Sequence, residues 1–368
     1  MLFRSRRAGI VIPTLCYHPD LSPVGSCRLC LVEVQWFDQL MAACKLPAAN
    51  GMVIRTHTPR LVEQRRMILS LLLARYVPGE AAVDEPNELL RWAREYQVEP
   101  RAEWPAASRF STDSDPSSVL RVDLNQCILC TRCIRACAEV QGRFVWHLAE
   151  HGAQTQIVAG MGTTLHEARC ESCGACAAYC PTGAIADRSR LSVGQPDRLV
   201  PTICGYCGVG CQFDLNVKAG RVIGVTSNPT APVNGMSLCV KGRYGWDYLH
   251  HPDRLTKPRV RQYLLAGPDV PKPANVDASP WVEVDWRAAF SVVVSRLARI
   301  RRTFGAEALG FLSSAKCTNE ENYLFQKLAR QVIGTHNIDH CARLCHSSTV
   351  AGLTMCYGSG AMSNSMDD

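Results

Sequence analysis

Residues 127–137 read CILCTRCIRAC, and residues 170–180 read CESCGACAAYC, followed by Pro181. Both are Cys-x2-Cys-x2-Cys-x3-Cys, and the step from Cys127 to Cys170 is 43 residues, so one module is present twice. Disulfides are geometrically awkward inside runs this tight, whereas metal clusters ask for several thiolates close together. The 368-residue chain holds 20 cysteines. Metal-bound thiolates need a reducing compartment, which predicts a cytoplasmic protein. The chain is 47% apolar and 20% charged, a globular composition with room for two or three domains.

Three closely spaced thiolates can wrap three corners of a four-iron cubane, while the fourth cysteine points away. In two-cluster ferredoxins that fourth residue ligates the other cluster. The expected sets are therefore Cys127, Cys130 and Cys133 with Cys180, and Cys170, Cys173 and Cys176 with Cys137. Paired zinc ribbons are the alternative, but their two knuckles are normally ~15 residues apart.

Further along, CGYCGVGC (204–211) and LCVKGR (238–243) give Cys204-x2-Cys207-x3-Cys211-x27-Cys239, a site closed by a distant residue. Spacing alone leaves zinc open there. With Lys241 two residues after the last cysteine, the pattern resembles the N-terminal iron-sulfur domain of molybdopterin oxidoreductases. The resemblance implies a 4Fe-4S cluster, with Lys241 between cluster and pterin; a surface lysine is the plain alternative. Toward the N-terminus, TLCYHPDLSPVGSCRLCLVEV (14–34) and MAACKLP (41–47) space Cys16-x10-Cys27-x2-Cys30-x13-Cys44. The first gap departs from plant-type ferredoxins, where it is four. The group resembles instead the 2Fe-2S domain that opens the large iron-sulfur subunit of NADH:quinone oxidoreductase, iron-only hydrogenases and the α subunits of NAD-linked formate dehydrogenases. That makes Cys16, Cys27, Cys30 and Cys44 the expected ligands. Those relatives often carry a His-x3-Cys-x2-Cys-x5-Cys cluster next. Residues 77–100 contain neither His nor Cys, so no cluster is assigned there.

The expected fold class is multidomain, α+β and α/β. Residues 1–77 are read as a β-grasp 2Fe-2S ferredoxin-like domain. GIVIP, CLVEVQWF and GMVIRTHT are β-prone runs between turns, and residues 59–77 carry the apolar spacing of an amphipathic helix. Residues 78–120 form a connector with one helix over NELLRWAREY and a turn-rich STDSDPSS. The duplicated 2x4Fe-4S ferredoxin domain spans 121–195, and the 4Fe-4S molybdopterin-oxidoreductase domain spans 197–255. Residues 256–368 start an α/β molybdopterin domain, with a helix over WRAAFSVVVSRLARIRRTFG and a strand over ALGFLSS. Strands missing before Cys16 and the ending NSMDD point to a fragment truncated at both ends.

Four clusters, one 2Fe-2S and three 4Fe-4S, use sixteen cysteines and leave Cys317, Cys341, Cys345 and Cys356. The order of modules resembles the formate dehydrogenase α subunit over nearly the whole chain. In that family a cysteine or selenocysteine followed by histidine ligates molybdenum, and CARLCHSSTVAGL (341–353) matches. The resemblance implies Cys345 as molybdenum ligand and His346 as the acid/base neighbour. It also implies a bis-molybdopterin guanine dinucleotide cofactor, formate as substrate, and a substrate arginine beyond residue 368. A soft, low-pKa sulfur suits a metal that takes two electrons, and an imidazole titrating near neutrality can take the proton. A buried cysteine in an ordinary helix is the plain alternative. Cys317, Cys341 and Cys356 are read as structural. Electrons would pass Lys241 and the Cys204 cluster, cross the duplicated module and reach the 2Fe-2S centre. No complete G-x-G-x-x-G follows a strand, so NAD and flavin are assigned to a partner subunit. The fragment alone is expected to be inactive.

Two other classes compete. A non-catalytic electron-transfer subunit of the NADH:quinone oxidoreductase type would lack molybdenum, and a nitrate reductase usually has methionine after its ligand cysteine. Cys345-His346 argues against both, and an iron-only hydrogenase would need its own catalytic cysteines downstream. The charge of +7 invites a nucleic-acid reading, yet Lys and Arg are scattered among acids with no basic run. Four-thiolate clusters, each carrying roughly −2, would about cancel it. SRRAGIVIP (5–13) is too short for a twin-arginine signal, and MILSLLLA (67–74) is too short for a membrane span. His57, His147, His151 and His166 lack ligand spacing and are read as structural or solvated.

Overall fold

The computed structural model describes residues 2–79, 87–113, 115, 117, 119–190 and 194–360. Part of the ligand-free stretch (80–86), three positions of STDSDPSS and the NSMDD ending lie outside the described residues. The chain divides into two compact units, Met1–Thr202 with Cys211–Asp247, and Ile203–Gly210 with Tyr248–Asp368.

In the first unit, strand Leu31–Val34 pairs antiparallel with Phe37–Ala42 on one side and Ile54–Arg55 on the other. Helix Pro59–Arg75 covers this sheet. Proline sits in its first turn, where a missing N–H costs nothing, and the Thr58 side chain accepts from the Leu61 N–H. Thr58 also donates to Glu33 at 2.8 Å, which pins the helix start to the central strand. The helix buries Leu61, Leu69 and Leu73, each contributing ~2 kcal/mol. Arg65 shares that face and is wholly buried, donating to Tyr96 Oη (3.0 Å) and Leu31 O (2.8 Å).

GIVIP forms no strand. Gly9 is left-handed at φ +71°, Pro13 has no N–H to offer a ladder, and Ile12 is buried while Val11 is exposed. A short helix, Leu2–Arg7, precedes it. The connector helix Glu88–Glu95 is capped by Asn87, whose side chain accepts from Leu90 N–H and donates to Tyr76 Oη and Thr182 O. Its Leu89, Trp92 and Ala93 pack with Leu69, Leu73 and Tyr76 in a core that also contains Cys16, Cys27, Ile128 and Cys130. The first cysteine group and the first ferredoxin run thus share one buried cluster.

Leu120–Val122 pairs antiparallel with Ile185–Asp187, which brings the two ends of the duplicated module together. Hairpin Trp146–Ala149/Gln156–Ala159 fills the space between the runs. A second hairpin, Gln212–Lys218/Arg221–Ser227, carries strand Arg198–Ile203 at its edge, and helix Val240–Tyr244 follows.

In the second unit, helix Trp286–Phe304 starts on Asp285, which accepts from Ala288 N–H at 2.7 Å, and stops at Gly305 with φ +85°. Strand Phe311–Ser313 leads through helix Asn319–Lys327, whose Thr318/Glu321 capping box is complete, to strand Ile338–His340. The two strands are parallel, as a β-α-β crossover requires. Among the described residues no helix is long and apolar enough to cross a membrane.

Candidate iron-sulfur and molybdenum sites

The duplicated runs fold alike. Leu129 and Thr131 are left-handed at φ +55° and +58°, and their counterparts Ser172 and Gly174 are left-handed at +54° and +71°. Each turn aims a backbone N–H at the first sulfur of its run, Leu129 N to Cys127 Sγ at 3.4 Å and Ser172 N to Cys170 Sγ at 3.3 Å. Cys133 lies on helix Arg132–Arg135 and Cys137 on the turn that continues it; Cys176 lies on helix Ala175–Tyr179, which Cys180 ends. Four residues of helix advance about 6 Å, so the fourth cysteine of each run stands well away from the first three.

Where it stands is the central geometric result. One cavity is walled by Cys127, Cys130, Cys133 and, from the other run, Cys180, with Leu124, Ile157 and Ile185 completing it. Burial pushes the Cys127 thiol up to about 11 and those of Cys130 and Cys133 higher, and nearby Cys180 adds to each. In the second group burial likewise raises Cys170, Cys173 and Cys176, and the neighbour adding to all three is Cys137. Val145 N–H points at Cys137 Sγ (3.3 Å), and the Trp146 indole donates to Cys176. Four bare thiolates in such a dry place would be costly; bound iron would supply the compensating charge.

Cys16, Cys27, Cys30 and Cys44 also converge. Hydrogen bonds from Cys27 and then Cys44 hold Cys16 far below an ordinary thiol, and Cys44 brings Cys30 down to about 7. The donors Cys27 and Cys44 are correspondingly raised. Cys16 and Cys27 exchange backbone N–H···Sγ contacts of 3.4 and 3.5 Å. Thiol chemistry, convergence and N–H donors to sulfur all fit a cluster at each of these three places.

Cys204 (buried) and Cys207 (exposed) belong to the second unit, and Cys211 (half-buried) and Cys239 (exposed) to the first. Lys241 is exposed in the first turn after Cys239. Cys345 ends helix Ala342–Cys345 and His346 separates it from helix Ser347–Tyr357. Both are exposed in this chain. They follow the carboxyl end of strand Ile338–His340, the edge at which open α/β sheets bind ligands. Ala315, just past the parallel neighbour strand, donates its N–H to Cys341 Sγ at 3.2 Å and joins the two loops at that edge. Cys317 and Cys356 are exposed, as are His57, His147, His151 and His166. A thiol and an imidazole at a strand's carboxyl end fit a metal-cofactor edge as donors, and enclosure of a pterin is not built by these residues alone.

Sequence reading missed the arginines. Arg75 Nε donates to Cys127 O (3.2 Å), Arg243 Nε to Cys173 O (2.8 Å), and Arg135 to the carbonyls of both Cys130 and Cys16. Arg132, 3% exposed, is held by Glu88 at 2.6 and 3.0 Å and by Tyr17 O. Their signal lay in CTRCIRAC itself, where two arginines interleave with ligand cysteines, and in the net positive charge.

Residues 5–59 match a 2Fe-2S iron-sulfur cluster binding domain and 126–184 a 4Fe-4S dicluster domain. Residues 197–251 match a molybdopterin oxidoreductase Fe4S4 domain and 254–367 a molybdopterin oxidoreductase domain. These matches bear out the expected fold class. The alpha subunit of the NADPH-Fe(3+) oxidoreductase of Geobacter sulfurreducens is 33% identical over 375 residues, 98% of this chain and 40% of that protein. An NADH-quinone oxidoreductase subunit of Rhizobium meliloti is 35% identical over 353 residues, 93% of this chain and 38% of that protein. A putative formate dehydrogenase of Staphylococcus aureus is 28% identical over 406 residues, 97% and 39% respectively. The chain spans about two fifths of the length of these relatives.

Proposed function

Because the chain carries the iron-sulfur domains and the beginning of the molybdopterin domain of the molybdopterin oxidoreductases, we propose that it belongs to the α subunit of an NAD-linked, cytoplasmic formate dehydrogenase. The observation that carries this reading is Cys345-His346 at the carboxyl edge of the parallel strands, downstream of three converged cysteine groups. The likeness to a putative formate dehydrogenase supports it.

Cys345 supplies a soft sulfur to molybdenum held by a bis-molybdopterin guanine dinucleotide. That cofactor, when bound, accepts the two electrons released as formate becomes carbon dioxide. His346 takes the proton or orients the carboxylate. Cys204, Cys207, Cys211 and Cys239 would hold a 4Fe-4S cluster, and Lys241 would serve electron passage between it and the pterin. The crossed sets of the duplicated module would hold two further 4Fe-4S clusters, and Cys16, Cys27, Cys30 and Cys44 a 2Fe-2S centre, with flavin and NAD on a partner subunit. The likeness to an NADH-quinone oxidoreductase subunit favours a second reading, electron transfer without molybdenum.

In the complete subunit, Cys345→Ser should abolish formate oxidation, because a hard hydroxyl replaces the soft ligand. His346→Ala should lose roughly two to four orders of magnitude in kcat while leaving the clusters reducible. Full activity in Cys345→Ser would sink the reading.

A further inference from the structure

Arg135 lies inside the first ferredoxin run and is 6% exposed; it is near enough to Glu139 to help hold that carboxyl low, but it makes no ion pair with it among the described residues. Its hydrogen bonds go mainly to backbone carbonyls instead. Nη1 donates to Ser22 O at 2.7 Å, and Nε to Thr131 O at 3.3 Å, one helical turn back. Nη2 has two hydrogens. One goes to Cys16 O at 2.6 Å and the other to Cys130 O at 3.1 Å. A single nitrogen therefore joins a cysteine of the 2Fe-2S group to a cysteine of the first cubane group, across 114 residues of sequence (130 − 16). The two cysteines also share the buried core of Leu15, Leu29, Trp92 and Ile128.

We propose that Arg135 is a positioning residue for electron transfer between the centre held by Cys16, Cys27, Cys30 and Cys44 and the centre held by Cys127, Cys130, Cys133 and Cys180. The inference rests on reading both groups as cluster ligands. Two consequences follow from the geometry. The shared guanidinium fixes the separation of the two ligand backbones and offers a short bonded path: Cys16 Sγ to its own carbonyl, through Nη2, to the carbonyl and then Sγ of Cys130. With both clusters bound, one electron would leave one and reduce the other along this path, with no bond made or broken and no proton moved. The permanent positive charge, which arginine keeps at any working pH, lies beside both anionic clusters and favours the reduced form of each. The hydrogen bonds of Arg135 reach ligand carbonyls of these two centres, whereas Cys137 of the second cubane group follows it by two residues without such a bond. The second cubane group has its own arginine, Arg243, on Cys173 O.

The test is a redox titration, followed by electron paramagnetic resonance, of the full-length subunit and its Arg135→Gln and Arg135→Lys variants, with iron counted in each. Arg135→Gln should keep its iron. The reduction equilibria of the 2Fe-2S centre and of one 4Fe-4S centre should weaken about tenfold, a fall of 59 mV for one electron, with the second cubane shifting less and the Cys204 centre least. Arg135→Lys restores the charge without the planar fork, so it should shift the same two centres by less and still slow electron exchange between them. Unchanged potentials in Arg135→Gln, equal shifts in all four centres, or loss of 2Fe-2S iron from both variants would overturn the proposal, the last by making Arg135 a structural peg. A wild-type subunit without a 2Fe-2S signal would refute the ligand reading itself, which separates the two failures.

Discussion

At Thr131 and at Gly174, 43 residues later, the backbone makes the same left-handed turn, yet the first position carries a side chain and the second has no room for one. A Cβ on Gly174 would run into Arg243 and Tyr244 from the helix that follows Cys239. Thr131 is half-buried with its Oγ1 accepting from Arg135 Nε at 3.4 Å, and its run is held by Arg75, by Arg132 on Glu88 and by Arg135 on Cys16. The duplicated backbone thus makes two equivalent ligand frames, and divergent neighbours make them unequal. The first half is welded to the 2Fe-2S group. The second is covered by the segment that carries Cys239.

The largest way to break the comparison is to remove one ligand from either half. Full reconstitution should give about 14 irons, two plus three times four. Cys133→Ala and Cys176→Ala should each cost about four of them, whereas Cys356→Ala, an exposed cysteine of the second unit, should cost none. An iron-edge anomalous map sharpens the same point: Cys180 should bond the cubane of Cys127, Cys130 and Cys133, and runs closed on themselves would contradict the crossed sets.

Next come the flanks. Glu88→Ala leaves the Arg132 guanidinium buried without its carboxylate and should cost about 3 kcal/mol, read as earlier thermal unfolding with the first half affected. Gly174→Ala strains the backbone and collides with Arg243 and Tyr244, at about 2–4 kcal/mol, while Thr131→Gly should change stability by under about 1 kcal/mol. Comparable losses in both would erase the asymmetry. Trp146→Phe removes one N–H donor to Cys176, about 1 kcal/mol, so one 4Fe-4S potential should fall by roughly 40 mV and the centre in the first half should not move.

The smallest effect is at Asp113. The Arg188 guanidinium, bidentate at 2.5 and 2.8 Å, holds its carboxyl below the usual range. A depressed carboxyl stabilises the fold above its unfolded value of 3.8 and loses that contribution as pH falls through the lower folded value. The pair is partly exposed, so Asp113→Asn should cost about 0.5–1 kcal/mol near neutrality and nothing at the acid end, measured by unfolding against pH.

Cysteine spacing made the duplication and the convergence of three of the four cysteine groups legible, because a cluster constrains sequence distance directly. Helices Pro59–Arg75, Glu88–Glu95 and Trp286–Phe304 were legible from apolar periodicity. The β-prone GIVIP misled, since its propensity says nothing about Pro13 or the turn at Gly9. The sequence balance hinted that positive charge offsets cluster charge; it could not say that Arg75, Arg135 and Arg243 do so through cysteine carbonyls, because those contacts join residues 52, 119 and 70 positions apart. Cys345 and His346 were named through family resemblance. Their placement at a strand's carboxyl end became visible only once Phe311–Ser313 and Ile338–His340 paired in parallel.

Freeze-quench electron paramagnetic resonance of the complete subunit with its partner, mixed with formate or with NADH, tests the functional account most directly. The account predicts that either reductant reduces the clusters of the wild type, and that in Cys345→Ser formate no longer does so while NADH still does. Clusters that formate never reduces in a molybdenum-replete wild type, or reduces equally well in Cys345→Ser, would contradict it and leave electron transfer without molybdenum in its place.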